Sequence, residues 1–269
     1  MYKLPIAQLE SLIIISGAGM GVDSGLPDFR GTNGFWRAYP VLAKLGIDFE
    51  AMATPAKFIE NPRLSWGFYG HRLNLYRTTR PHAGFDALHT LVRHFQDNAF
   101  IITSNVDGQF QEAGFSPDMI NEDHGSIHHL QCSKPCRKEI WSADGFNPHV
   151  DEKTCQLLSD LPLCPHCGAL ARPNILMFSD SKWVETRWQE QDNRQKQWLS
   201  QAVRPLVIEI GAGSTVGSMR SLSEHLTTKM NGFLVRINPR EPEILSHVPG
   251  ISIPSGGRDA LTSLVQHIH

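Results

Sequence analysis

Apolar residues in this chain are grouped into short runs. Four β-rich stretches, Leu12 to Ile15, Phe100 to Ile102, Leu206 to Ile210 and Phe233 to Ile237, each end in small or polar residues: Ser16 and Gly17, Thr103, Gly211 and Asn238. Unbroken runs of this length read as strands buried on both faces, the pattern of a parallel sheet. Between them the spacing changes to that of a helix, as at Phe85, Leu88, Leu91, Val92 and Phe95. Strand alternating with helix predicts a doubly wound α/β sheet, and such sheets bind ligands at the carboxyl ends of their strands.

Two segments interrupt the alternation. Residues 35–80 are rich in aromatics and helix formers, among them Phe35, Trp36, Tyr39, Trp66 and Tyr69, and predict a helical insertion. Residues 128–172 hold all five cysteines with Pro135, Pro148, Pro162 and Pro165, which predicts a loop-rich module stapled by something other than a core. The remainder, 1–34, 81–127 and 173–269, is expected to form a Rossmann-like core. Within it, residues 182–201 are polar and carry Trp183, Trp188 and Trp198, predicting one helix whose aromatic stripe packs on the core.

Composition narrows the chemistry. At 269 residues, 41% hydrophobic and 19% charged, the chain is long enough to bury a full core. Lys and Arg total 25 against 27 for Asp and Glu, and a formal charge of -2 gives no field to hold a polyanion, so nucleic acid is not an expected direct ligand. The apolar run at Leu12 is too short to span a membrane and follows no secretion signal, so a cytoplasmic protein without a membrane partner is expected.

Four of the cysteines form two close pairs. Cys132 and Cys136 are spaced C-x3-C and Cys164 and Cys167 C-x2-C, the arrangement in which each knuckle gives two thiolates to a tetrahedral Zn2+. Four thiolates fill the coordination shell and leave no position for water, so the ion is expected to be structural. Two disulfides are the alternative, and His128, His129 and His166 stand as substitute ligands. Cys155 is left over.

After the first run comes GAGMGVDSGLPDFRG, residues 17–31. Glycines at 17, 19 and 21 allow a backbone to approach a pyrophosphate, although the spacing GxGxG is not the usual dinucleotide fingerprint. With TSNVDG at 103–108, HGS at 124–126, the cysteine pairs, RPNILMF at 172–178, GAGS at 211–214 and the asparagine closing VRIN at 235–238, the chain resembles the sirtuins, NAD-dependent protein lysine deacylases. The motifs occur in the family's order over essentially the entire chain, which implies a single catalytic domain, 1–269.

The resemblance assigns expectations residue by residue. Gly17, Ala18, Gly19, Asp28, Phe29 and Arg30 would line the NAD loop; Ser104 would bind NAD where the family's residue reaches a ribose, and Asn105 and Asp107 would hold the nicotinamide carboxamide and a water. Gly211, Gly213, Ser214 and Asn238 would meet phosphate or adenosine ribose, and Gly257 and Arg258 would lie near the adenine. NAD would be consumed: the acyl-lysine amide oxygen of a protein or peptide displaces nicotinamide at the ribose C1′. His124, the general base, then takes a proton from a ribose hydroxyl so that this oxygen carries the acyl group away as O-acyl-ADP-ribose; imidazole suits a base working near neutrality. Residues 49–72 resemble the branch that removes succinyl, malonyl or glutaryl groups, in which a Tyr and an Arg three residues on bind the acyl carboxylate, here Tyr69 and Arg72. On a bare YxxR spacing, Tyr69 packing in the core and Arg72 meeting a local acid are the alternative.

The chain departs from the family pattern in three places. Gly21 stands for a serine, Ser104 for a glutamine, and Phe178-Ser179-Asp180 for the FGE segment that pairs with substrate peptide as an added strand. Backbone pairing depends little on side chains, so Phe178 remains an expected peptide contact. Mono-ADP-ribosyl transfer at the same NAD site, and a non-catalytic NAD-sensing module, are the competing functions.

Overall fold

The computed structural model describes residues 4–28, 31–214 and 217–266. At its centre lies β1 (Ser11–Ser16), all six residues buried. It pairs in parallel on one side with β2 (Ala99–Thr103) and on the other with β9 (Pro205–Ile210). Next to β2 runs β3 (Ile120–Glu122); beyond β9 lie β10 (Phe233–Ile237) and β11 (Gly250–Ile253). The order is β11-β10-β9-β1-β2-β3, parallel throughout. The chain winds outward in one direction from β1 and in the other from β9, so the crevice between their carboxyl ends is the topological switch point.

The period of two explains why the central strands are unbroken apolar runs. Leu12 and Ile14 enter a cluster with Phe85, Leu88 and Leu91 of α7 (Gly84–His94) and Leu261 of α11 (Gly257–Val265). Ile13 and Ile15 enter the opposite one with Met219 and Leu226 of α10 (Ser218–Lys229), against which Trp198 of α9 (Thr186–Leu199) packs. Burying each such side chain is worth about 1.5–3 kcal/mol. Short helices α1 (Gly19–Val22) and α8 (Gln109–Glu112) follow the β1 and β2 loops.

A third cluster gathers Phe35, Phe58, Trp66, Phe68 and Tyr69. It is built by α2 (Gly31–Ala38), α3 (Pro40–Lys44), α4 (Phe49–Met52), α5 (Pro55–Glu60) and α6 (Pro62–Thr78). Local sequence sets where α5 and α6 begin. Thr54 and Asn61 accept from the backbone N–H of Lys57 and Leu64, each followed by a proline at the first helical position. The cluster leans on a small antiparallel sheet, β5-β4-β8, of β4 (Gly125–Cys132), β5 (Ile140–Ser142) and β8 (Ala171–Ile175), with a hairpin of β6 (Val150–Asp151) and β7 (Gln156–Leu157) beside it. Trp66 Nε1 donates to Ala171 O at 2.9 Å, joining the two regions.

Three differences from the sequence reading have physical causes. β3 and β11 escape it because they are short and carry polar residues, Asn121, Glu122 and Ser252. α2 begins at Gly31, ahead of residue 35, and β4 and β8 run through positions 128 and 172, where the module was expected to begin and end. Trp183 precedes α9, and that helix docks on β3 through polar groups: Gln191 is buried and accepts from Glu122 N at 3.1 Å, while Asn121 Nδ2 donates to Gln195 Oε1 at 2.7 Å. Among the described residues no helix is long and apolar enough to cross a membrane.

Candidate functional site

The predicted residues follow the carboxyl ends of the parallel strands. Gly17, Ala18 and Gly19 follow β1; Ser104, Asn105 and Asp107 follow β2; and His124 follows β3. Gly211, Gly213 and Ser214 follow β9, Asn238 follows β10, and Gly257 and Arg258 open α11 after β11. Phe29 and Arg30 lie outside the described residues. Asp28 is half-buried on the segment leading to them.

At the switch point the two central loops touch backbone to backbone. Gly19 N donates to Gly211 O at 3.1 Å, and a Cβ on Gly19 would stand 2.6 Å from the Gly211 Cα, which no real side chain tolerates. Gly211 is itself left-handed at φ +62°. The glycines at 17 and 19 are thus required by each other's neighbours; an added Cβ at 17 would meet Ala212 Cα at 2.9 Å. Gly21 faces Leu26, whose Cδ1 an added Cβ would meet at 3.0 Å.

The β2 loop is laced to the first. Ser104 N and Asn105 Nδ2 donate to Ser16 O and Gly17 O at 3.1 and 3.0 Å. Asp107 is buried, its Oδ1 accepting from Gln109 N at 2.9 Å. Burial pushes its carboxyl up to about 6; the hydrogen bond from Gln109 opposes this, the Glu122 charge adds to it, and the Arg72 charge again opposes. A bulge in β4 supplies a further brace. Pairing with β8 jumps from Ser126 to Leu130, and the residues between reach back: Ile127 N donates to Val106 O at 3.0 Å and His128 Nε2 to Asp107 O at 2.8 Å. His128, given no catalytic role by the sequence, positions this loop.

His124 sits between β3 and β4, half-buried, and its ring has no hydrogen-bond partner among the described residues. Its backbone is fixed from both sides. Asp123 N donates to Thr103 O at 2.8 Å and Leu176 N to His124 O at 3.0 Å. Gly125 explains the glycine after the histidine: it is left-handed at φ +78°, and a Cβ there would meet Asn174 O at 2.2 Å. Behind this turn Glu122 is buried, bonded to Arg187 and to Gln191, and Trp188 Nε1 reaches Asp123 Oδ1 at 3.4 Å.

On the other side, Asn238 is fully buried and ties two loops. Its Nδ2 donates to Ala212 O at 3.0 Å, and its Oδ1 accepts from Arg240 N and Glu241 N at 3.0 and 3.1 Å. The turn so formed lays the Glu241 carboxylate on Ser214, which donates its N–H at 3.2 Å and its hydroxyl at 2.5 Å. An anion therefore already rests where the sequence places a phosphate contact. Beneath, Arg236 grips Glu209 with Nε and Nη2 at 2.9 and 2.7 Å, both residues wholly buried, coupling the ends of β10 and β9. Arg258 N donates to Asp23 Oδ2 at 2.8 Å, closing α11 onto the first loop.

Tyr69 and Arg72 lie on α6, both buried. Tyr69 is stacked on Phe58 with centroids 5.5 Å apart, and burial pushes its hydroxyl up to about 12. Arg72 lies over the rings of Phe68, Tyr69 and Tyr76 at 5.2, 5.8 and 5.3 Å, and its Nε donates to Tyr76 Oη at 2.9 Å. Phe178 packs edge-on against Phe49, and its N–H donates to Ala53 O at 3.0 Å. The segment that the sequence likens to an added strand is a turn, with Ser179 left-handed at φ +55° and Asp180 buried in an ion pair with Arg172 at 2.8 Å.

The four paired cysteines converge: their sulfurs all lie within 4.8 Å of one another, with Cys132–Cys167 and Cys136–Cys164 at 3.6 Å. That is far too long for a disulfide and close to the edge of about 3.8 Å that four sulfur ligands make around zinc. The donor set fits Zn2+. Cys155, buried and left-handed at φ +53°, serves packing: its carbonyl lies 2.0 Å from where a Cβ on Gly67 would be, which lets α6 pass close.

Comparison with known proteins agrees with this arrangement. The Sir2 family model matches residues 17–209. An NAD-dependent protein deacylase 1 of Caldanaerobacter subterraneus subsp. tengcongensis is 32% identical over 243 residues, covering 89% of this chain and 86% of its own. An NAD-dependent protein deacylase of Pyrococcus furiosus is 29% identical over 266 residues, 98% of this chain and 95% of its own. Among solved structures, a Sir2 homolog–NAD complex superposes with a TM-score of 0.75 at 23% identity, covering 98% of this chain and 91% of that one, a likeness of fold. With the glycine-loop, TSNVDG and GAGS motifs following strands of one parallel sheet and the family pattern running from the first glycine loop to β9, the chain belongs to the Sir2 family.

Proposed function

We propose that this protein is an NAD-dependent protein lysine deacylase that releases nicotinamide and an O-acyl-ADP-ribose, with a structural zinc held by Cys132, Cys136, Cys164 and Cys167. The observation that carries the reading is His124, its imidazole without a hydrogen-bond partner among the described residues, on the same sheet edge as the loops after β1, β2 and β9. The crevice fits a dinucleotide: Ser214 already binds an anion, the Glu241 carboxylate, through its N–H and hydroxyl. NAD brings an anomeric carbon that becomes strongly electrophilic as nicotinamide departs.

The chain's residues orient and deprotonate. Asn105 keeps Oδ1 and a second Nδ2 hydrogen for a carboxamide beyond its bond to Gly17 O. Asp107, with a carboxyl at about 6, is mostly ionised at neutral pH and accepts hydrogen bonds from the leaving group's side of the site. His124 accepts the ribose hydroxyl proton. Tyr69 and Arg72 select acyl groups that end in a carboxylate, the buried guanidinium supplying the counter-charge. The substrate is an acyl-lysine on a protein or peptide, bound beside Phe178, and a cytoplasmic site of action suits a four-thiolate zinc centre.

Incubation with NAD and acetyl-, succinyl- or glutaryl-lysine peptides, following nicotinamide, O-acyl-ADP-ribose and labelled protein, tests the proposal. Acyl-dependent nicotinamide release is expected, and His124→Ala should reduce it at least 100-fold without lowering the melting temperature. Label transferred to an acceptor residue would establish ADP-ribosyl transfer, and absence of all products would establish a non-catalytic module.

A further inference from the structure

Arg72 is a buried cation, and three aromatic rings of its own helix stand beside it. Phe68, Arg72 and Tyr76 are spaced four residues apart on α6 and so share one face, with Tyr69 alongside. All three rings stand within 5.8 Å of the guanidinium carbon. Tyr76 does more than offer a ring: its hydroxyl accepts from Arg72 Nε at 2.9 Å. A guanidinium is planar, so a bond at Nε fixes the plane and the direction in which the two terminal nitrogens form their fork. Tyr76 is 6% exposed and buried in the same cluster as Tyr69 and Met177.

We propose that Tyr76 is a positioning residue for acyl selectivity, holding the Arg72 fork in the orientation that receives a carboxylate-ended acyl chain. The inference rests on the reading of Tyr69 and Arg72 as the acyl receptor. An acetyl group has no carboxylate and gains nothing from the orientation of the fork. Loss of the Tyr76 hydroxyl therefore penalises succinyl and glutaryl substrates alone, and it does so through binding, since the amide that reacts is common to all.

The test compares Tyr76→Phe and Arg72→Met with the parent protein on succinyl-lysine and acetyl-lysine peptides of one sequence at saturating NAD. The ratio of the two kcat/KM values is the readout, because it does not depend on the fraction of protein folded. Tyr76→Phe should lower the succinyl-to-acetyl ratio about tenfold, about 1.4 kcal/mol, through a raised KM for the succinyl peptide with kcat within twofold. Arg72→Met should lower the ratio about 100-fold. A ratio unchanged in Tyr76→Phe but collapsed in Arg72→Met overturns the role of Tyr76 and leaves the receptor standing. A ratio unchanged in Arg72→Met overturns the receptor and the inference together.

Discussion

Asp107 carries its charge at a cost set by its surroundings. Burial raises the carboxyl to about 6, so the folded protein holds this proton more tightly than the unfolded chain does. The associated stability is fully present below the unfolded value of 3.8 and is lost as the pH rises through about 6. Asp107→Asn keeps an oxygen for Gln109 N and removes the charge. It should melt higher than the parent at pH 8, by roughly 1–2 kcal/mol of stability, and show no gain at pH 4; melts at the two pH values decide, and equal behaviour at pH 8 would mean that water or a cation relieves the carboxylate. At this scale the sequence is legible in where its motifs fall: Asn105 and His124 follow strands of the parallel sheet, and the four paired cysteines converge. It is silent where a role depends on a partner brought from afar. His128 meets Asp107 across 21 positions, and Glu241 meets Ser214 across 27. Tyr76 is near Arg72 in sequence, yet nothing marks it until the rings around it are in place.

Helix starts on α5 and α6 can be read directly, because Thr54-Pro55 and Asn61-Pro62 state both the cap and the first turn. The four strands that bury apolar runs are equally plain, whereas β3 and β11 are not. α9 is legible only in part: Trp198 packs on the core as its aromatic pattern predicts, but the contacts to β3 are made by Gln191, Gln195 and Arg187, which hydrophobic periodicity does not mark. The bulge in β4 has no sequence signature at all, yet it carries Ile127 and His128 onto the β2 loop. His128→Ala removes one neutral hydrogen bond, worth about 1 kcal/mol of stability, but frees the backbone at Asp107. A KM for NAD raised about fivefold to tenfold, with a small drop in melting temperature, is expected. Steady-state kinetics with varied NAD check this, and an unchanged KM would show that the bonds to Ser16 and Gly17 hold the loop unaided.

Across the whole molecule, strands of one sheet deliver the site, and a second unit pins the turn that bears His124. The zinc knuckles sit at the far end of β4 and just before β8, whose near ends flank His124 and lead to Phe178. Chelation under reducing conditions should therefore release stoichiometric zinc and abolish deacylation while most of the far-ultraviolet helical signal survives, since α7, α9, α10 and α11 pack on the parallel sheet. Retained activity after complete zinc release would sever that link. The overall layout was legible because alternation of strand and helix admits few topologies; the order of the strands, and hence the seam between β1 and β9, required the coordinates. One consequence lies in the seat that Glu241 keeps on Ser214. On the proposed phosphate role of Ser214, an arriving dinucleotide evicts a tenant, so its observed affinity would be the intrinsic affinity scaled by the fraction of molecules with the seat vacated. On that proposal, sensitivity to dinucleotide supply would be set partly by how firmly one glutamate sits.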